Sequence, residues 1–204
     1  MKKLRLITFA FAVGFLSVHH ATAQECKSLL HVGMDGLVSY LDRTAPNNEN
    51  AECITFAIKA LSGHRYEPAV PVLIKFLDFR RPPNALEKAH FFSTGLGDIY
   101  PAKDALEEIQ EMRENARSAV LSGLLSAIGS ASRSAAAREN AVAVWMMLHR
   151  DRSSKGVVLL REEAVKASNP AVRENFIWAL SKAQTLCNPS DKSRCRAAAV
   201  MPKP

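Results

Sequence analysis

The sequence predicts an all-α fold, a short α-solenoid of stacked antiparallel helix pairs with degenerate repeats, and three observations predict it. First, "AECITFAIKALSGHRYEPAVPVLIKFLDF" (residues 51–79) sets Ile54, Ala57, Ile58 and Leu61 on one helical face, stops at Ser62-Gly63, and repeats the spacing with Val70, Leu73, Ile74 and Leu77. Second, one charged triplet, Arg-Glu-Asn, opens two apolar segments 35 residues apart, "ARENAVAVWMML" (137–148) and "VRENFIWALSKA" (172–183). Third, no stretch alternates convincingly as a strand. Neither helix of the first pair can bury its apolar stripe alone, so such pairs must stack on one another.

The elements follow in chain order. Residues 1–23 read as a secretory signal peptide: Lys2, Lys3 and Arg5 precede an apolar run from Leu6 to Val18, and Ala21-Thr22-Ala23 offers a small-x-small cleavage site. The run is shorter than the ~20 apolar residues a spanning helix needs, so no integral membrane segment is expected after cleavage. Glu25 before Cys26 speaks against lipid attachment at that cysteine. A single repeat domain is expected over residues 24–186, followed by a disulfide-looped tail over 187–204.

Residues 26–42 carry a helical pattern that Gly33 and Gly36 are placed to interrupt. In the first clear helix pair, Pro68 or Pro71 marks the first turn of the second helix, where proline is tolerated. Residues 102–122 contain neither Pro nor Gly, so they form one long helix or two without a visible break. Ser134 and Asn169 align as N-caps, with Pro170 in the first turn of the later copy. On the aligned helices, Val142, Trp145 and His149 match Ile177, Leu180 and Gln184, and Arg-Glu-Asn falls on the shoulder, from which Arg and Glu reach neighbouring helices. A third copy at Arg113-Glu114-Asn115 is out of step with the repeat. Helix endings at residues 60–63, 95–97, 127–129 and 179–182 are separated by 35, 32 and 52 residues, and the widest interval holds an extra helix over 157–167 with Val157, Leu160 and Ala164 on one face. Trp145 and Trp178 are expected in the core.

The chain of 204 residues has 27 basic and 20 acidic side chains. Three of the basic ones lie in the signal, so the mature 181 residues carry 24 against 20, a net charge of +4. That balance lacks the dense basic stripe of a nucleic-acid groove, and no nucleic acid is expected as a partner. Four cysteines, all after the signal, suit an oxidising compartment. Three pairings are possible. The short polar loop "CNPSDKSRC" favours Cys187 with Cys195, which leaves Cys26 with Cys53. An unbroken helix over 26–42 would hold Cys26 far from Cys53 at ~1.5 Å rise per residue, so that pairing requires an interruption. Zinc is disfavoured because neither C-x2-C nor H-x3-H spacing is present.

In "FAIKALSGHRYEPAVPVLIKFLD", "YPAKDALEEI" and "PAVRENFIWALSKA" the chain resembles HEAT-like repeats of the phycobilisome-lyase type, over most of residues 50–183. The resemblance implies an α-solenoid that binds other macromolecules, and it carries over no catalytic residue. An exported chain is not expected to attach pigment to phycobilisomes.

Residues 80–102, "RRPPNALEKAHFFSTGLGDIYPA", join two helical units by more than the usual two to eight residues. Long loops held by a rigid scaffold are frequent contact sites. Arg80 and Arg81 suit a carboxylate or phosphate, and His90, Phe91, Phe92 and Tyr100 could supply aromatic anchors, although Phe91 and Phe92 read first as core residues of a short helix. His31, His64, His90 and His149 lack ligand spacing, and neither a G-x-S-x-G elbow nor a phosphate loop is present. The carboxylates of Asp104, Glu107, Glu108, Glu111 and Glu114 read as a solvated helix face. The sequence therefore points to a periplasmic or secreted, non-enzymatic scaffold for a protein or peptide partner, with no cofactor. A cofactor-handling or lyase-like accessory protein, with a pocket between helices, is the alternative.

Overall fold

A computed structural model of the chain describes residues 26–47, 49–83, 87–88, 98–109 and 114–201. Within these residues the fold is all-α: helices dominate, strands are absent, and Arg81 and Ile99 form an isolated antiparallel bridge. The signal segment, His90 to Phe92 and the possible joint at 110–113 lie outside the described residues. Contacts group the chain into two compact units, residues 1–57 and 58–204.

In the first unit a 3-10 turn, Cys26–His31, precedes helix α1, Met34–Arg43. The expected interruption is real and falls at Gly33, whose backbone is extended (φ −67°, ψ 171°) and so does not need glycine's special freedom. Gly36 is helical, and a Cβ there would lie 2.0 Å from Val32 Cγ1, so any larger residue would force the Val32 side chain to move. The break lets Cys26 turn back, and Cys26 and Cys53 form a disulfide with a Cα–Cα distance of 5.1 Å. Between α1 and the next helix, Asn47 and Asn50 each accept the other's backbone N–H at 2.9 Å, which closes the connection. Leu37 and Leu41 are buried on α1.

Helix α2, Ala51–Gly63, spans the division between the units. Its whole predicted face is buried: Ile54, Ala57, Ile58 and Leu61 are each 0 % exposed. The helix ends in a Schellman motif, with Tyr66 N–H donating to Leu61 O and Arg65 N–H to Ser62 O. The left-handed residue is Arg65 (φ 53°), two positions after the glycine that the sequence offers as the stop.

In the second unit a 3-10 turn, Glu67–Ala69, leads into helix α3, Val70–Lys75. Pro68 lies in that turn and Pro71 in the first turn of α3, where the missing N–H costs nothing. Val70, Leu73, Ile74 and Leu77 are buried as the periodicity requires. Helices α4, Pro101–Ile109, and α5, Glu114–Gly129, take up the described parts of the stretch that lacks Pro and Gly over 102–122, and both pack on α3. Helix α6, Ala135–Leu148, lies against α4 and α5, and α8, Pro170–Thr185, lies against α5, α6 and α7. Helix α7, Ser153–Lys166, is the extra helix, with Val157, Leu160 and Ala164 each 0 % exposed.

The two triplet helices start as expected. Ser134 Oγ accepts the N–H of Ala137, and Asn169 Oδ1 accepts those of Ala171 and Val172. The buried faces, however, coincide at Ala141, Val144, Trp145 and Leu148 against Phe176, Ala179, Leu180 and Ala183. Val142 and His149 are buried, whereas their 35-residue counterparts Ile177 and Gln184 are not: α6 packs against α4, α5, α7 and α8, and α8 against α5, α6, α7 and the C-terminal helix, so the two helices meet different neighbours. Trp145 is core, its Nε1 donating to Gly156 O at 3.1 Å. Trp178 is only half-buried, with the Lys182 ammonium 5.9 Å from its ring centre, and Phe176 takes the core position.

The C-terminal tail packs onto this unit. Cys187 and Cys195 form the second disulfide, helix α9, Lys192–Ala198, lies on α7, and Asp191 Oδ2 accepts the N–H of Ser154 at 2.7 Å in the first turn of α7. Two disulfide-linked pairs with no free thiol fit an oxidising, exported environment. No helix among the described residues is long and apolar enough to cross a membrane.

Candidate functional site

The long connection after α3 is tied at its base. Arg81 N–H donates to Ile99 O at 3.0 Å and Ile99 N–H to Arg81 O at 2.9 Å, so the backbone returns on itself across the intervening residues. The Arg81 guanidinium, 8 % exposed, holds both oxygens of Glu87 at 2.7 and 2.6 Å. A bidentate pair removed from water is directional and strong once formed. Arg80, outside this knot, pairs with Asp98 at 2.9 Å with both side chains open to solvent, an arrangement that contributes little to stability.

Above the knot is an open cavity of about 500 Å³, at the lower end of the range for small-ligand pockets. Its floor is formed by the buried residues Ser62, Arg81, Pro101 and Ala105, with Ile99 and Tyr100 beside them. Lys59 from α2, Glu87 and Asp98 from the connection, and Lys103, Asp104 and Glu108 from α4 complete the lining. Helix α4 presents Asp104 and Glu108 one turn apart because they stand four residues from each other. Ser62 Oγ donates to Glu108 Oε2 and joins the end of α2 to this face.

Burial pushes the Asp104 carboxyl above its ordinary value, and it prevails over the opposing pull of Lys103, Lys59 and Arg81, while Glu108 adds to the rise. Asp104 is itself exposed, so the effect comes from neighbouring walls that displace part of its water and not from enclosure. Glu107 is shifted in the same direction, again by burial first. No group of three or more His, Cys, Asp or Glu among the described residues is arranged to hold a metal ion.

Of the residues singled out from sequence, Arg81 and Tyr100 line the cavity, while Arg80 stands beside it through its bond to Asp98. His90, Phe91 and Phe92 fall outside the described residues. The Arg81 guanidinium is already held by Glu87 and shapes the cavity from below. Lys59, Ser62, Asp104 and Glu108 were missed as site residues. The i, i+4 carboxylates were visible in sequence, but nothing there says that α4 turns them toward Ser62 across 46 residues.

Comparison of this chain with protein-family models, with curated proteins and with solved structures yields no match.

Proposed function

We propose that this chain is an exported, non-enzymatic HEAT-like α-solenoid that binds a protein or peptide partner, with the tied connection and its cavity at the contact. The packing of α3 on α5 and of α5 on α8, beside α4 on α6, supports two rows of stacked helices. The observation that carries the reading is the knot of Arg81, Ile99 and Glu87: it fixes the ends of a long connection beside a cavity edged by charged side chains, which is how a rigid scaffold presents a recognition surface. The signal-like leader and the two disulfides support export to the periplasm or the exterior.

A photo-crosslinking amino acid placed at Arg80, Tyr100 or Lys103 tests this, with Lys192 on α9 as the distant control. Crosslinking in the native exported fraction should join one discrete partner to the first three positions and not to Lys192. An identical pattern from all four positions, or none from the first three, removes the connection from the reading.

The alternative, a cofactor-handling or lyase-like accessory protein, draws on the same cavity and its paired polar groups, Arg81 with Glu87 and Ser62 with Glu108. It predicts a small molecule released from the purified native protein on denaturation, detected by mass spectrometry. Release of none would count against it.

A further inference from the structure

We infer that the outer side of α7 and α9 docks this chain on an anionic phospholipid surface. This side shares no lining residue with the cavity above.

Two separate features meet there, and the first is charge. Residues 150–155 and 188–201 carry six basic and two acidic side chains, and the remaining residues of 24–204 balance at 18 of each. The whole positive excess therefore comes from two short segments, and packing joins them: Ser154 N–H donates to Asp191 Oδ2 at 2.7 Å, and Asn188 N–H to Ser153 Oγ at 3.3 Å. Arg150, Arg152, Lys155, Lys192, Arg194 and Arg196 are all exposed. Of the two carboxylates, Asp191 is buried, caps the start of α7 and stands 3.7 Å from Arg194, which leaves Asp151 at the surface.

The second feature is apolar. Val165 is 50 % exposed and Val200 67 %, and both line one open groove with Ala197 and Met201. Asp191 meets Ser154 and Val200 shares the groove with Val165, so α9 runs beside α7 in the same direction. Arg196 comes one turn before Val200, and Arg194 one turn before Ala197, which puts cations and apolar groups together on the solvent side of α9. Arg161 and Lys166 border the groove on α7; Glu162 is its acidic member, and Glu163 pairs with Lys166 at 3.0 Å.

A lipid surface satisfies both features. Headgroup phosphates receive the cations, while the boundary of the acyl chains takes the valine tips out of water. A soluble polyanion would leave the valines in water, and an apolar protein face would strip water from the cations without pairing them. The Cys187–Cys195 disulfide and the Asp191 cap already hold α9 on α7, so docking orders no new segment.

Co-sedimentation of the mature, oxidised chain with vesicles of phosphatidylcholine, alone or mixed with phosphatidylglycerol, tests this. Binding should require phosphatidylglycerol and fall ~10-fold or more as NaCl rises from about 50 to about 300 mM. Lys192→Gln/Arg194→Gln/Arg196→Gln should weaken it roughly 100-fold, at about fivefold per basic side chain near the surface. Val165→Ser/Val200→Ser should weaken it roughly tenfold through lost apolar burial. The charge-matched control Lys27→Gln/Arg65→Gln/Lys88→Gln, at three exposed positions, should bind within about twofold of the parent chain. Circular dichroism checks that each variant is folded. Equal binding with and without phosphatidylglycerol, or none to either vesicle, overturns the inference and depends on no variant. An equal loss in the control overturns the placement on α7 and α9. Unchanged binding of the valine variant overturns the lipid in favour of a general polyanion site.

Discussion

The Arg-Glu-Asn triplet makes its strongest prediction through its asparagines. Asn140 Nδ2 donates to Leu77 O at 2.7 Å, just beyond the end of α3, and Asn175 Nδ2 donates to Gly129 O at 3.1 Å, at the end of α5. Each asparagine thus caps the carbonyl end of an earlier helix. The arginines act locally, Arg138 on Ser130 O and Arg173 on Ala167 O, in the turns before their own helices. Replacing Asn140 with Ala removes the donor to Leu77. A neutral hydrogen bond contributes about 0.5–1.5 kcal/mol net, and a carbonyl left without its donor costs about 1–3 kcal/mol when buried. The site is half-buried, so the loss should be about 1–2 kcal/mol, with Asn175→Ala, whose bond is longer, near 1 kcal/mol. The two bonds share no partner, so the double variant should equal the sum within about 0.5 kcal/mol. Asn140→Asp keeps the shape but offers an acceptor to an acceptor, and should cost more than Ala. Urea unfolding followed by circular dichroism measures all four. A loss below about 0.3 kcal/mol for Asn140→Ala, or an Asp variant no worse than Ala, would refute the capping account.

Three other outcomes follow from buried geometry. His149, 8 % exposed and stacked on Trp145 at 4.5 Å, is held below its ordinary pKa by burial, against its bond to Trp145 O and with help from Arg117 and Lys155; its neutral form therefore stabilises the fold fully above the unfolded value of about 6.5, and that contribution is lost as pH falls. Urea midpoints at pH 7.5 and 5 should differ less in His149→Gln than in the parent chain, and an unchanged difference would exclude this histidine as the source. Arg65→Gly should raise stability by about 1 kcal/mol in the same assay, since glycine adopts the left-handed cap without a Cβ penalty. Gly156→Ala should cost about 1 kcal/mol despite alanine's better helix propensity, because its Cβ would lie 3.0 Å from His149 and 3.3 Å from Trp145 Nε1; a stabilised variant with unaltered tryptophan fluorescence would show that the ring stack yields freely.

Much of this fold is written locally. The buried faces of α2, α3 and α7 follow from apolar spacing, the starts of α6 and α8 from Ser134 and Asn169, and the second disulfide from the seven residues of polar chain between its cysteines. Each depends on neighbours within a few turns, so a single sequence suffices. Other features depend on which helix happens to lie alongside. Ile177 is exposed and Val142 buried at equivalent positions because α6 and α8 meet different neighbours, and Arg65 takes the strained cap although Gly63 was at hand. The candidate site belongs to this second kind. Arg80 to Tyr100 marked the connection, yet the cavity exists because Arg81 finds Ile99 and Glu87, and Ser62 finds Glu108. Sequence alone determined the buried faces of α2, α3 and α7 and favoured the short disulfide loop, since periodicity and short loops are local properties; the meeting of distant charged groups was decided only by packing, which no spacing along one chain encodes.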